Sequence, residues 1–268
     1  MSQSYFDAII LGTDFEALIC GALLTKRGYR VLLAGQDDLP PVYRAGEHSL
    51  PHHPFTFLAG HSPMARRIFA ELALHQIFRR RAVAIDPPFQ VAQPGHRLDL
   101  PLDEDERLLE IEREFPEVRR PVEDFHRSVA ITSAEIDRIV ERDLVWSPSS
   151  FLERRELSRA IAHQPFSRRG DVPDPLREIA DDHPFRWVVE APVRFASDLD
   201  PDQRPHLSTA RLYTAWLHGA ATVEGGYAWL RETLIDRIQT HGGEVRPRER
   251  AERILVRRGA AAGVRMAR

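Results

Sequence analysis

The sequence predicts an α/β protein in which the two ends of the chain build one parallel-sheet domain and the middle is a largely helical insertion. Three observations predict it. Ala8–Leu11 is a short apolar run ending in Gly12, followed by a helical stripe of Phe15, Leu18, Ile19, Ala22 and Leu23 and by a second apolar run, Tyr29–Ala34. Far downstream, Gly225-Gly226 opens a helix, Gly242-Gly243 closes it, and Glu244-Val245-Arg246 reads as a further strand. Between these blocks helical periodicity dominates. The boundaries that follow are 1–80 for the βαβ part, 81–221 for the mostly helical region and 222–268 for the return to the first domain.

In the opening unit Gly28 stops the helix Phe15–Arg27, and the strand after it has the unbroken apolar character of a strand buried on both faces. This is a Rossmann-like βαβ unit, the kind that places a dinucleotide pyrophosphate on a helix N-terminus. Its phosphate turn should read G-x-G-x-x-G/A. Here it reads Gly12, Thr13, Asp14, Phe15, Glu16, Ala17, so the first glycine stands, the third is an acceptable alanine, and the middle one is an aspartate. A carboxylate about 4 Å from a phosphate charge costs about 4 kcal/mol at an effective dielectric of about 20. The acid that binds a ribose hydroxyl is also absent, because the second strand ends in Gly35, followed by Gln36, Asp37 and Asp38. The same residues admit a second account: Thr13-Asp14-Phe15-Glu16 fits a capping box in which the Thr13 hydroxyl and the Glu16 carboxylate satisfy each other's backbone N–H groups.

After this unit comes a loop rich in proline and histidine, 37–63. Its His48, His52, His53 and His61 lack helical spacing and an acid partner, which favours composition over a metal site. The spacing then predicts one amphipathic helix over 64–78 and a hairpin over 87–102 that turns at Pro94-Gly95. Helices follow over 103–115, 121–144, 151–162, 182–195 and 208–218, and the many Glu/Arg pairs on the first two are a solvated face. The aromatics Phe185, Trp187, Phe195, Tyr213 and Trp216 read as core more readily than as the lining of a substrate tunnel. The chain closes with a helix over 227–241, the strand Glu244–Arg246, and a hairpin across Arg258-Gly259.

Composition excludes more than it selects. A net charge of -3, with 43% apolar and 29% charged residues, points to an ordinary soluble chain and away from nucleic acid. Cys20 is the only cysteine, so there is no internal disulfide and no thiolate metal cluster, and a cytoplasmic setting is the natural expectation. Lys26 is the only lysine among 37 basic residues, and the arginines are scattered among acids. No apolar stretch approaches the roughly 18 residues of a membrane span.

Two separated blocks carry a family resemblance. The opening unit, together with VEGGYAWLRETLIDRIQTHGGEVRPRERAERILVRRGAAAGVRM over 223–266, resembles the phytoene desaturase-like branch of FAD-dependent oxidoreductases, which includes carotenoid isomerase and retinol saturase relatives. Phe55-Thr56-Phe57 with Gly60 is similar to a further segment of that family. The resemblance implies an FAD/NAD(P)-binding domain with a helical substrate or cap insertion, in which FAD takes a hydride from a hydrophobic isoprenoid or polyene substrate. It places Gly12, Thr13, Asp14 and Ala17 at the phosphate turn, and Gly35 with Gln36 or Asp37 at the ribose. Arg44 remains from a Gly-Gly-Arg that here reads Val42-Tyr43-Arg44, and Ala251 stands where a valine backbone meets the adenine. It names no catalytic side chain and no metal. A polyene substrate also implies peripheral contact with a membrane. The family's last FAD segment has no counterpart before Arg268, which reads as a portion of a longer chain. The alternative is a non-catalytic lipid- or protein-binding module that keeps the fold without FAD; an NAD(P) enzyme ranks last.

Overall fold

The computed structural model describes residues 5–36, 42–52, 55–142, 144–162, 174–197, 199–200 and 203–267. The chain forms two compact units. The first comprises Met1–Thr56, Ile68–Ala82 and Thr222–Arg268, and the second Phe57–Arg67 and Val83–Ala221.

The first unit is built on a three-stranded parallel sheet. β1 (Ala8–Leu11) pairs with β2 (Val31–Ala34) from Ala8↔Val31 to Leu11↔Ala34. On its other side, β2 pairs with the late strand Glu244–Arg246 from Leu32↔Glu244 to Ala34↔Arg246. All four β2 residues are buried, as an apolar run with helices packed against it requires. Those helices are α1 (Phe15–Lys26) and Gly226–Thr240, whose Leu18, Ala22, Leu230, Leu234 and Ile238 are fully buried. Gly21 lets them close on the sheet, since a methyl group there would sit 2.7 Å from Leu33 Cδ1 and 3.3 Å from Ile238 Cδ1.

Two expectations are corrected in this region. The supposed loop after β2 contains an antiparallel hairpin, β3 (Val42–Ala45) with β4 (His48–Pro51), which turns at Gly46 with φ +62°. Every residue of the pair is exposed, so no buried alternation marked it in the sequence. The single helix expected over 64–78 is two helices, α2 (Pro63–Glu71) and α3 (His75–Arg81), broken where Ala73 takes φ +54°. Leu72 and Leu74 are both buried. Side chains two residues apart point to different faces of a continuous helix, so the break lets both reach the interior.

Two strands absent from the sequence reading also appear, β5 (Ala82–Ile85) and β8 (Ala220–Val223). In the second unit β6 (Phe89–Gln93) and β7 (His96–Leu100) make the expected hairpin. It is followed by α4 (Glu104–Glu114), α5 (Arg119–Val140), α6 (Phe151–Ile161), α7 (Phe185–Phe195) and α8 (His206–Leu217). The first unit then ends with α9 (Gly226–Thr240), β9 (Glu244–Arg246) and the hairpin β10 (Ala251–Arg257) with β11 (Ala260–Met266).

One apolar cluster fills the second unit. It joins Leu98 and Leu100 of β7, Ile111 of α4, Val122, Phe125 and Val129 of α5, Phe185, Val188 and Val193 of α7, and Tyr213 of α8. The aromatic expectation therefore divides: Phe185, Tyr213 and Trp216 are core, while Trp187 and Phe195 are 57% and 55% exposed.

Within this core His126 of α5 stacks on Tyr213, their polar atoms 3.2 Å apart, while its Nδ1 has no partner among the described residues. Burial, aided by the charge of Arg107, pushes the His126 imidazole down to about 3. The folded protein therefore leaves His126 neutral where the unfolded chain, with an ordinary histidine near 6.5, takes up a proton. This contribution is complete above pH 6.5 and is lost as pH falls towards 3, at about 1.4 kcal/mol per pH unit, or about 2 kcal/mol by pH 5. Urea unfolding at pH 7, 6 and 5 should show that slope, and the double variant His126→Phe/Tyr213→Phe, which removes both polar partners, should flatten it.

Candidate functional site

The candidate site is the C-terminal edge of the parallel sheet in the first unit, where β1 hands over to α1 and β2 ends. Gly12 leaves β1 with φ +125°, and its N–H donates to Ala34 O at 2.7 Å. Asp14, extended at φ -69° and ψ 176°, is the N-cap of α1, and its Oδ1 accepts from the Ala17 N–H at 3.0 Å. The capping box expected on Thr13 and Glu16 is thereby corrected by one residue. A short carboxylate at the N-cap reaches the N3 donor directly and complements the helix dipole, which leaves Thr13 outside the helix. An anion approaching the free N–H groups of α1 meets the exposed Asp14 carboxylate on one of them and Glu16 in the first turn.

Aromatic rings gather beside the acids. The Phe55 ring lies 6.2 Å from that of Phe15 and 6.3 Å from that of Tyr227. The Tyr227 phenol is pushed up first by burial; Arg231 opposes the shift, and the negative charges of Asp14 and Glu16 add to it. The surroundings of this helix start are thus acidic and aromatic, the reverse of a phosphate cradle. Sequence reasoning passed over Tyr227, although it directly follows the double glycine that opens α9.

At the end of β2, Gly35 N–H donates to Arg246 O at 3.0 Å and extends the β2–β9 ladder. A β-carbon on Gly35 would lie 1.9 Å from the Pro247 carbonyl oxygen and 2.6 Å from its carbon. The direction in which a ribose-binding side chain would leave this position is filled by the protein's own backbone. Gln36 folds back on the strand end, its Nε2 donating to Gly35 O at 2.7 Å. Asp37 lies outside the described residues.

The other expected contacts are placed separately. Arg44 is exposed in the middle of β3, paired with Ser49. Ala251 begins β10 opposite Met266, in a hairpin distinct from the parallel sheet. Of the four histidines considered as metal ligands, His52 lies tilted against Tyr43 with ring centroids 4.8 Å apart and His61 against His218 at 5.6 Å, while His53 lies outside the described residues. Among the described residues no group of three or more metal-ligating side chains converges.

These residues do not fit a dinucleotide. The position expected to take a pyrophosphate carries a carboxylate already bonded to the helix, and among the described residues the position expected to take a ribose has no acid, Gly35 having no room for a side chain.

No known protein family and no curated protein matches the sequence. Solved structures do resemble the fold. An oxidoreductase from Methanosarcina mazei aligns at 15% identity with a TM-score of 0.48, over 97% of this chain and 56% of its own. A protein from Pyrococcus furiosus aligns at 12% and 0.49, over 91% and 52%. A Rab GDI from Plasmodium falciparum aligns at 11% and 0.51, over 99% and 63%. The chain thus shares the fold of that Rab GDI and spans between half and two thirds of the length of these structures.

Proposed function

We propose that this chain is a non-redox binding protein on a flavoprotein-type framework, in which a Rossmann-like unit has lost its dinucleotide and the protein acts by holding a hydrophobic partner, a lipid or a protein. The observation that carries the reading is the Asp14 carboxylate seated on the Ala17 N–H, where a pyrophosphate needs a free donor and a neutral backbone. The Pro247 carbonyl in the path of any side chain at residue 35 supports it independently. The packed aromatic core of the helical unit favours partners held at the surface over a substrate drawn into an interior tunnel. A Rab GDI on the same fold is compatible with a scaffold that works by binding.

A second reading keeps FAD. The resemblance of the two end blocks to the phytoene desaturase-like family favours a desaturase- or isomerase-like oxidoreductase for isoprenoid or polyene substrates. Titrating the purified protein with FAD and following the flavin bands separates the two: the proposal expects no uptake, and the second reading expects a bound flavin spectrum.

A further inference from the structure

Arg142, Arg155 and Arg159 line one surface cavity of about 550 Å3 in the helical unit, together with Leu144, Leu152 and Glu156. Arg155 and Arg159 are one turn apart on α6, so both guanidinium groups leave the helix on the same face. Arg142 follows the end of α5. Among the described residues Glu156 is the single carboxylate in this lining. The neighbouring acid Glu153 is committed elsewhere, its Oε2 accepting from the Ser149 and Ser150 N–H groups at 2.8 and 2.9 Å in the capping box that starts α6.

The two segments that supply Leu144 and Leu152 also carry Val145, Trp146 and Phe151. Val145 is 50% exposed, Trp146 60%, and Phe151 and Leu152 74% each. Trp146 and Phe151 lie outside the cavity lining, and at this exposure they project to solvent beside it. An indole, a phenyl ring and a leucine beside three arginines match the layered chemistry of a bilayer surface: the apolar groups enter the headgroup–acyl boundary while guanidinium groups meet phosphates. No helix among the described residues is long and apolar enough to cross a membrane.

We propose that this face docks on a bilayer surface carrying anionic phospholipids, with Trp146, Phe151 and Leu152 inserted and a lipid phosphate held by Arg142, Arg155 and Arg159. The inference extends the binding-protein reading by naming its partner, and the two fail separately. FAD uptake by a chain that still binds vesicles defeats the first alone, and a chain that takes up no FAD and ignores vesicles defeats the second alone.

The test is co-sedimentation of the full chain with phosphatidylcholine vesicles containing phosphatidylglycerol, against phosphatidylcholine alone. Binding should favour the anionic vesicles by about tenfold or more and weaken as salt is added. Trp146→Ala/Phe151→Ala should lower affinity at least about tenfold with an unchanged circular dichroism spectrum, since both side chains are largely exposed. Arg155→Glu/Arg159→Glu should erase the preference for anionic lipid while leaving the fold intact. Absence of binding to anionic vesicles, equal binding to both vesicle types, or binding indifferent to both variants overturns the proposal. So does a soluble dimer that Trp146→Ala/Phe151→Ala disperses in a chain that ignores vesicles, because the face then serves a second copy.

Discussion

Gly35→Glu, which restores an acid at the end of β2, is expected to destabilise the first unit by about 3 kcal/mol or more and to confer no FAD binding. The cause is steric before it is electrostatic. A β-carbon 1.9 Å from the Pro247 carbonyl oxygen cannot coexist with the Gly35 N–H bond to Arg246 O, so β9 must move away from β2. The pairs Leu32↔Glu244 and Leu33↔Val245 loosen with it, on a strand whose four residues are all buried. Gly35→Ala separates the two causes. It carries the same collision without the charge, and urea unfolding should place it close to Gly35→Glu. A stable Gly35→Glu protein with unchanged unfolding would show that the end of β9 yields easily and that the ribose position is open.

In the helical unit the largest effect is expected at Tyr213. Its side chain is fully buried, in ring contact with Phe89 at 6.3 Å and Phe125 at 5.2 Å and stacked on His126 at 5.8 Å. Tyr213→Ala leaves a cavity bounded by β6, α5 and α8 and strips His126 Nε2 of its partner. The expected loss is about 3–5 kcal/mol, a fall in melting temperature on the order of 10 °C. Tyr213→Phe keeps the packing and loses only the hydroxyl bond, which should cost about 1 kcal/mol. Near-equal losses for the two variants, measured by thermal unfolding, would mean that the hydrogen bond rather than the ring holds α5 to α8. The acid-side behaviour of His126 belongs to the same cluster. Its neutral imidazole is tolerated in the core because Tyr213 satisfies one nitrogen, and it becomes a liability only where the unfolded chain can take up a proton.

How much of this was legible in the sequence depended on range. The βαβ unit, α9 and β9 could be read because each is marked locally, by apolar runs in the strands and by glycines at Gly12, Gly28, Gly225 and Gly242 that take positive φ where an element starts or ends. The departures from the phosphate turn were equally local, and Asp14 was visible at once. What it does there was misassigned by one residue, since Thr13 and Asp14 are both good N-cap residues and only the backbone angles decide between them. The closure at Gly35 could not be read, because the atom that fills the space belongs to Pro247, more than two hundred residues away. The pairing of His126 with Tyr213 is long-range in the same sense. The β3–β4 hairpin escaped for another reason: a two-stranded ribbon exposed on both faces has no inside to alternate against.

On the binding-protein reading, the edge of the first unit expected to take a nucleotide is closed by the protein itself, by Asp14 at the helix and by Pro247 at the sheet. The measurement that tests it most directly is a parallel titration of the purified protein and its Asp14→Gly variant with FAD, followed by visible absorption. Neither protein should acquire flavin bands, because removing the carboxylate still leaves the Pro247 carbonyl against Gly35, with no room for a ribose-binding side chain there. Flavin bound by the unaltered protein, or a tight complex gained by Asp14→Gly alone, would overturn this reading and favour the FAD-dependent one.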